Sequence, residues 1–461
     1  MSNLTSLDGM IRAAWRLPMW SLVAKAVRLV RSPGKQDWID QLQLPGPGST
    51  RLDSLMQAAR PGLVASAALM DITPPDPSGM YLAGFAAQRT CTGVLDPLYA
   101  RTLFISDGET PLIIVALDLI GLSGCVVDKL RDCLTGKFQD SLLIVSTHNH
   151  QGPDTLGLWG KSLGGWLPYQ TGVSVDYMNF LVDRIVACVE QALDAAQPAR
   201  LHVAKGVFDS QARWIHNERD NLVDRDLRVI QFDDLQGRSI ATLMQHACHP
   251  ETLWKANRKM SADFCGECCG YVEKQIGGVG LYVNGALGAM LTAAIDRDSR
   301  VETRQTFMVD LGRALGRAAV RLVRRARQRP PADPEVNVAA CEVRMPPQAN
   351  YFYALMQSLG VVAGQEDNGE IVSQVSFYRV GPASITCLPG EPAPAVGLEI
   401  LKRVPGNPKL LFGLANDELG YLVPPEFFHD DKYAYESSLS PGPLAAARIA
   451  LAIEKLARLE Q

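Results

Sequence analysis

The sequence predicts an α/β fold: a mixed, largely parallel sheet flanked by helices, in one large domain over residues 62–461 that follows an amphipathic helical arm and linker at residues 1–45. Three observations carry this. From about residue 62, apolar runs of strand length alternate with amphipathic stretches of helix length. The runs at 112–118 and 142–146, separated by a helical pattern at 123–134, make a β-α-β unit, which requires a parallel pair. Hydrophobic residues are 47% of 461, enough for a substantial core.

The elements follow in order. Residues 10–31 carry five Lys or Arg, no acid, and Trp15 and Trp20, in a basic amphipathic pattern too broken by charge to span a bilayer. This arm reads either as peripheral membrane contact on an anionic surface, or as a face docked on the protein body or on a second copy in a homo-oligomer. Ser32-Pro33-Gly34-Lys35 and Pro45-Gly46-Pro47-Gly48 supply linker and turn chemistry. After the β-α-β unit comes a long helix at 175–196, then strands at 228–232 and 240–246 joined as a hairpin through 233–238. Helical patterns at 301–326, 391–403 and 441–458 alternate with strands near 279–284, 337–344, 374–380, 384–388 and 409–414.

A net charge of -4 with no long basic block gives no reason to expect nucleic acid, and points to a small-molecule or acyl-lipid substrate. Ten cysteines are scattered and no secretory leader is read at the start, so a cytoplasmic location is expected. Cys265-Gly266-Glu267-Cys268-Cys269 reads as packing in the first turns of a helix, with a redox role as the alternative.

Ser146-Thr147-His148-Asn149-His150-Gln151-Gly152 stands directly after an apolar run. On chain still extended from a strand, His148 and His150 point to one side. His249 in Ala247-Cys248-His249-Pro250, Glu391 in Pro389-Gly390-Glu391, and Tyr421 after Gly420 also follow strand-like runs. Polar residues at the ends of several strands converge on one crevice. A catalytic zinc takes about three or four protein ligands and keeps a place open, so His148, His249, Glu391 and Tyr421 form a candidate set for one Zn2+ per chain. His150, free to miss the metal, is the candidate catalytic proton carrier. Asp118 and Asp263 are candidate acceptors fixing imidazole tautomers, or equally helix caps.

These stretches resemble the neutral ceramidase family, in particular short bacterial proteins similar to its N-terminal catalytic domain. The resemblance runs from roughly residue 62 to 440. It is carried by Asp71-Ile72-Thr73-Pro74-Pro75, Gly93-Val94-Leu95-Asp96-Pro97, Thr147-His148-Asn149-His150-Gln151-Gly152-Pro153, Val223-Asp224-Arg225-Asp226-Leu227, Ala247-Cys248-His249-Pro250, Ser261-Ala262-Asp263-Phe264, Pro389-Gly390-Glu391, and Gly413-Leu414-Ala415-Asn416 leading to Tyr421. It implies a zinc amidohydrolase in which His148, His249, Glu391 and Tyr421 bind the metal and His150 lines the site.

Two features depart from the family. Where its ceramidases carry Gly-Asp-Val-Ser, with a serine assigned a catalytic role, this chain has Gly288-Ala289-Met290-Leu291. Thr292 is a partial substitute only if the turn shifts. The simplest expected mechanism is therefore attack by metal-activated water on an amide or ester. The family's ceramidases also continue into an immunoglobulin-like domain, whereas this chain closes on a helix, so an intracellular N-acyl compound is expected in place of extracellular sphingolipid. The expected activity is zinc-dependent hydrolysis of a carbon-nitrogen bond other than a peptide bond. Alternatives on the same centre are ester or lactone hydrolysis, and acyl transfer or cyclisation in a pocket dried by Met290 and Leu291. A noncatalytic binding protein that keeps the fold is the alternative from another class.

Overall fold

The strands Tyr99–Ser106, Pro111–Leu117 and Leu142–Ser146 are buried on both faces, and that double-sided pattern dictates the layers. The computed structural model describes residues 38–44, 50–58, 61–135, 138–163, 167–345, 366–367 and 370–459. The arm at 10–31 and the turns at 32–35 and 45–48 lie outside these.

Eight strands form the larger sheet: β1 (Val64–Asp71), β2 (Tyr99–Ser106), β3 (Pro111–Leu117), β4 (Leu142–Ser146), β5 (Gln197–Val207), β6 (Asp226–Asp234), β7 (Ser239–His246) and β8 (Val279–Asn284). Their spatial order is β8-β7-β6-β5-β1-β2-β3-β4. A second sheet has β9 (Val336–Met345), β10 (Glu370–Val380), β11 (Ala383–Cys387) and β12 (Lys409–Phe412) in sequence order, with Glu366–Asp367 pairing on β10. The helices that cover them are α1 (Gly124–Leu134), α2 (Val175–Asp194), α3 (Asp263–Ile276), α4 (Val301–Ala326), α5 (Pro394–Arg403) and α6 (Ala445–Leu459).

Side chains of a strand alternate between faces, so each strand serves two cores. Along β3, Ile113, Val115 and Leu117 pack on Val126 and Leu130 of α1 and Leu181 and Ile185 of α2. Leu112, Ile114 and Ala116 face the second sheet, meeting a core that holds Tyr378, Val380, Ile385 and Phe412. On the outer face of the second sheet, Val375, Phe377 and Leu411 lie under Ile400, Ile449 and Ile453. The result is four layers, helix on sheet on sheet on helix.

The expected β-α-β unit forms, with β3 parallel to β4, and β6 and β7 form the expected hairpin. The sheet is mixed and flanked by helices, as the sequence predicts, but its balance and layering differ. Five of the seven pairings in the larger sheet are antiparallel. Parallel neighbours occur where a helix supplies the crossover: α1 between β3 and β4, α3 between β7 and β8, α5 between β11 and β12. The helical pattern expected from 391 begins three residues later, at Pro394, because proline suits a helix's first turn. Glu391 instead lies in the short strand Glu391–Pro392, paired parallel with Tyr421–Leu422.

The cysteine-rich turn belongs to α3, where Cys265, Cys268 and Cys269 are buried with Phe264, Leu311 and Leu315. Burial raises all three thiols, Cys269 to about 12, which disfavours the reactive thiolate and supports the packing role. α4 comes so near α3 that a Cβ at Gly312 would lie 2.6 Å from the Phe264 carbonyl oxygen. Among the described residues, no helix is long and apolar enough to cross a membrane.

Candidate metal centre

The site lies where the ends of β4, β7 and β8 meet the loops after β11 and β12. Asn284, the last residue of β8, donates from Nδ2 to the carbonyls of Thr147 at 2.8 Å and Cys248 at 2.9 Å, and its Oδ1 accepts from Cys248 N–H at 3.0 Å. One buried amide thus ties together the residues immediately before His148 and His249. The loop after β12 joins the same end, with Asn416 N–H donating to the Ile144 carbonyl at 2.7 Å.

His148 is not on extended chain as expected. Its φ is 66°, in the left-handed region, because the chain turns sharply after Ser146. Asn149 stabilises that turn: its Oδ1 accepts from Gln151 N–H, and its Nδ2 donates to the carbonyls of Asp118 and Ser261. The two rings still meet, with centroids of His148 and His150 4.9 Å apart.

His148 Nδ1 lies 2.8 Å from the Ile120 carbonyl oxygen, and His249 Nδ1 3.1 Å from that of Leu291. A carbonyl only accepts, so each Nδ1 carries the proton and each neutral ring presents the Nε2 lone pair. Both Nε2 atoms face one oxygen, Glu391 Oε2, at 3.4 Å from His148 and 3.1 Å from His249. Three acceptors therefore converge in a fully buried space, an arrangement that requires a cation between them, either a proton or a metal. Burial alone would raise the Glu391 carboxyl, but the two histidines outweigh it and hold it down at about 2. Burial alone would lower His249, yet its hydrogen bond and charge contact with Glu391 raise it.

Asp118 and Asp263 do not fix the tautomers. Asp118 is held by Arg101 at 2.6 Å and by Tyr99 N–H, while Asp263 accepts from the Thr252 hydroxyl, from Leu253 N–H and from Phe264 N–H in the first turn of α3. Each carboxylate is satisfied by its own neighbours, and backbone carbonyls orient the rings in their place.

His150 differs from its two neighbours. Its ring is buried, yet neither nitrogen has a hydrogen-bond partner. Burial, then the charges of His148, His249 and Arg89, lower its pKa well below the usual value. Gly84 makes room for it: a Cβ there would sit 2.3 Å from His150 Cγ. The ligand nitrogens of His148, His150 and His249 all lie within 4.8 Å of one another, so the three rings alone could also hold an ion.

Tyr421 sits beside Glu391 on the neighbouring short strand. Its hydroxyl lies 3.7 Å from Met290 Sδ, and among the described residues no hydrogen bond joins it to the histidines or Glu391. The turn that departs from the family motif has Ala289 and Met290 at φ of 56° and 55°. Leu291 buries its side chain in the core around Phe264 and contributes only its carbonyl to His249. Thr292 turns its hydroxyl to Glu251, donating to Oε1.

Glu251 was not among the expected residues, although it stands two positions after His249. It is buried, with Oε2 3.7 Å from His150 Nδ1, and burial raises its carboxyl to about 7. Asn284 was also missed, although it obeys the same rule of polar residues at strand ends that singled out the histidines. Beyond Glu251 and Thr292 a cavity of about 370 Å³ opens.

Residues 65–299 match the model of a family described as neutral/alkaline non-lysosomal ceramidase, N-terminal. Two solved structures are similar in fold. One, a crystal structure of neutral ceramidase from Pseudomonas aeruginosa, has a TM-score of 0.70 at 17% identity over 86% of this chain and 74% of that one. The other, a ceramidase complexed with C2, has a TM-score of 0.70 at 17% identity over 86% of this chain and 75% of its own.

Proposed function

The chain belongs to the neutral/alkaline non-lysosomal ceramidase family, and from that premise we propose that it is a zinc-dependent hydrolase cleaving the amide bond of an N-acyl small molecule or lipid-like metabolite, with one ion per chain. The observation that carries the reading is the convergence of two oriented Nε2 lone pairs and one carboxylate oxygen on a buried point. Metal-binding histidines commonly donate their other N–H to a carbonyl or carboxylate, as His148 and His249 do here. His148, His249 and Glu391 would hold the ion, with Tyr421, the strand neighbour of Glu391, as the fourth ligand. Zinc in such a donor set supplies Lewis acidity, polarising a carbonyl and making water acidic enough to attack near neutral pH.

The remaining work falls to the protein's own groups. His150 is kept neutral by burial and is unfixed at both nitrogens, which suits it to take a proton from the attacking water and give it to the departing amine. At the position of the family's serine, Leu291 points into the core and the neighbouring Thr292 hydroxyl is committed to Glu251, which supports a mechanism without a serine. A second ligand arrangement, with His150 completing a trio of histidines, is favoured by the mutual distances of the three rings. Metal content of His150→Ala separates the two arrangements.

The test is amine release from N-acyl substrates before and after metal removal. Loss of turnover on chelation and its return with zinc support the reading; full activity in metal-free protein contradicts it.

A further inference from the structure

The cavity beside the centre speaks to what the enzyme accepts, granted the amide hydrolase reading above. At about 370 Å³ it lies near the lower end of the roughly 300–1,000 Å³ that holds a small-molecule ligand. Glu251 belongs to both regions, since its Oε2 is 3.7 Å from His150 Nδ1 and its side chain lines the cavity. A group lodged there is therefore next to the proton carrier.

The wall carries a cation with donors to spare. Glu218, Glu251, Arg297 and Arg304 line the cavity beside an apolar wall of Trp254, Ala293 and Ile295. Arg304 is spent on structure, with its guanidinium nitrogens on the carbonyls of Ser299, Thr252 and Asp296 at 3.3, 2.9 and 2.6 Å. Arg297 is not. Its guanidinium carbon lies 4.5 Å from the Trp254 ring centroid, and Nη2 meets Glu218, while Nε and Nη1 have no protein partner among the described residues. The Trp254 ring holds the guanidinium in place, and the planar fork keeps donors to spare.

We propose that this cavity takes the polar side of a compact N-acyl compound of amino-acid size, with Arg297 meeting its carboxylate, so that the preferred substrate is an N-acyl amino acid type of amide and not a two-chain lipid. Arg297 is then a specificity-determining residue: it acts on the group beside the scissile bond and leaves the bond itself to the centre.

The experiment compares kcat/KM of the zinc-loaded full chain on an N-acyl amino acid, on the analogue whose carboxylate is a neutral carboxamide, and on N-hexadecanoyl sphingosine in mixed micelles. The carboxylate substrate should be preferred over its neutral analogue, and Arg297→Leu should collapse that ratio by about 10–100-fold, the loss of one charge-assisted hydrogen-bonded pair. Arg297→Lys, which keeps charge without the fork, should restore part of it, and unchanged zinc content in both variants shows that they fold. Equal or faster turnover of the long-chain lipid, or an Arg297→Leu loss that is the same on both small substrates, overturns the proposal while the amide hydrolase reading stands. If zinc-loaded protein cleaves no amide at all, that reading falls and this one falls with it.

Discussion

Replacing Asn284 with alanine isolates the element that holds the two proposed histidine ligands in register. The change removes an amide that makes three hydrogen bonds of 2.8, 2.9 and 3.0 Å to Thr147 and Cys248. Two carbonyls and two N–H groups, those of Cys248 and Gly285, would lose this partner, in a place where Asn284 itself is fully buried. Each such group costs about 1–3 kcal/mol, and partial repair by an entering water brings the expected loss of stability to about 2–4 kcal/mol. Because the lost bonds fix the peptide groups preceding His148 and His249, zinc affinity should also fall by about 10–100-fold, the usual effect of removing an outer partner of a metal site. Urea unfolding of the metal-free protein reads the first quantity, and zinc titration against a competing chelator reads the second. Asn284→Asp sharpens the test. It keeps an acceptor for Cys248 N–H but turns a carboxylate oxygen toward two carbonyl oxygens, so it should do no better than alanine. Zinc affinity unchanged in Asn284→Ala would refute the claim that this amide positions the ligands.

Three other outcomes follow from the same geometry. His150→Ala should keep zinc and lose about 10²–10⁴-fold in kcat, the range for a lost general acid-base group; loss of the metal as well would place His150 among the ligands. Thr292→Val removes the donor to the buried Glu251 Oε1 and should lower stability by about 1–3 kcal/mol, measured by urea unfolding, whereas an unchanged midpoint would show that the hydroxyl does not bind there. In metal-free protein the contact of Glu391 with the histidines should make stability depend on pH. Glu391 is depressed from 4.5 to about 2, so its contribution is complete above its ordinary value and is lost as pH falls toward about 2. His249 is raised, so its contribution is complete below 6.5 and is lost as pH rises through its folded value. The stability gap between wild type and Glu391→Gln should therefore be widest between about pH 4.5 and 6.5, and a gap independent of pH would contradict the pairing.

Much of this was legible before the fold. The unbroken apolar runs ending at Leu117 and Ser146, with a helix between, could only be a parallel crossover, and that unit delivers His148 to the site. The rule that polar residues at strand ends converge also brought His249 and Glu391 beside His148, with both imidazoles facing Glu391 Oε2. What escaped was whatever local pattern does not encode. An apolar strand reads alike whether its neighbour is parallel or antiparallel, so the stacking of two sheets was invisible. The acceptors that set the tautomers are the backbone carbonyls of Ile120 and Leu291, and a carbonyl belongs to every residue. His148 reaches its place through a left-handed turn supported by Asn149, not by continuing the strand. Glu251 and Asn284 were readable in principle, but neither is a residue type whose position alone distinguishes a site from a cap or a core contact.

The central claim is that the point between His148, His249 and Glu391 holds a metal ion. It is tested most directly by metal analysis of protein purified without chelator, alongside His249→Ala. The account predicts about one zinc per wild-type chain and almost none in the variant. A folded wild-type protein that binds no zinc, or a variant that retains it in full, would contradict the account.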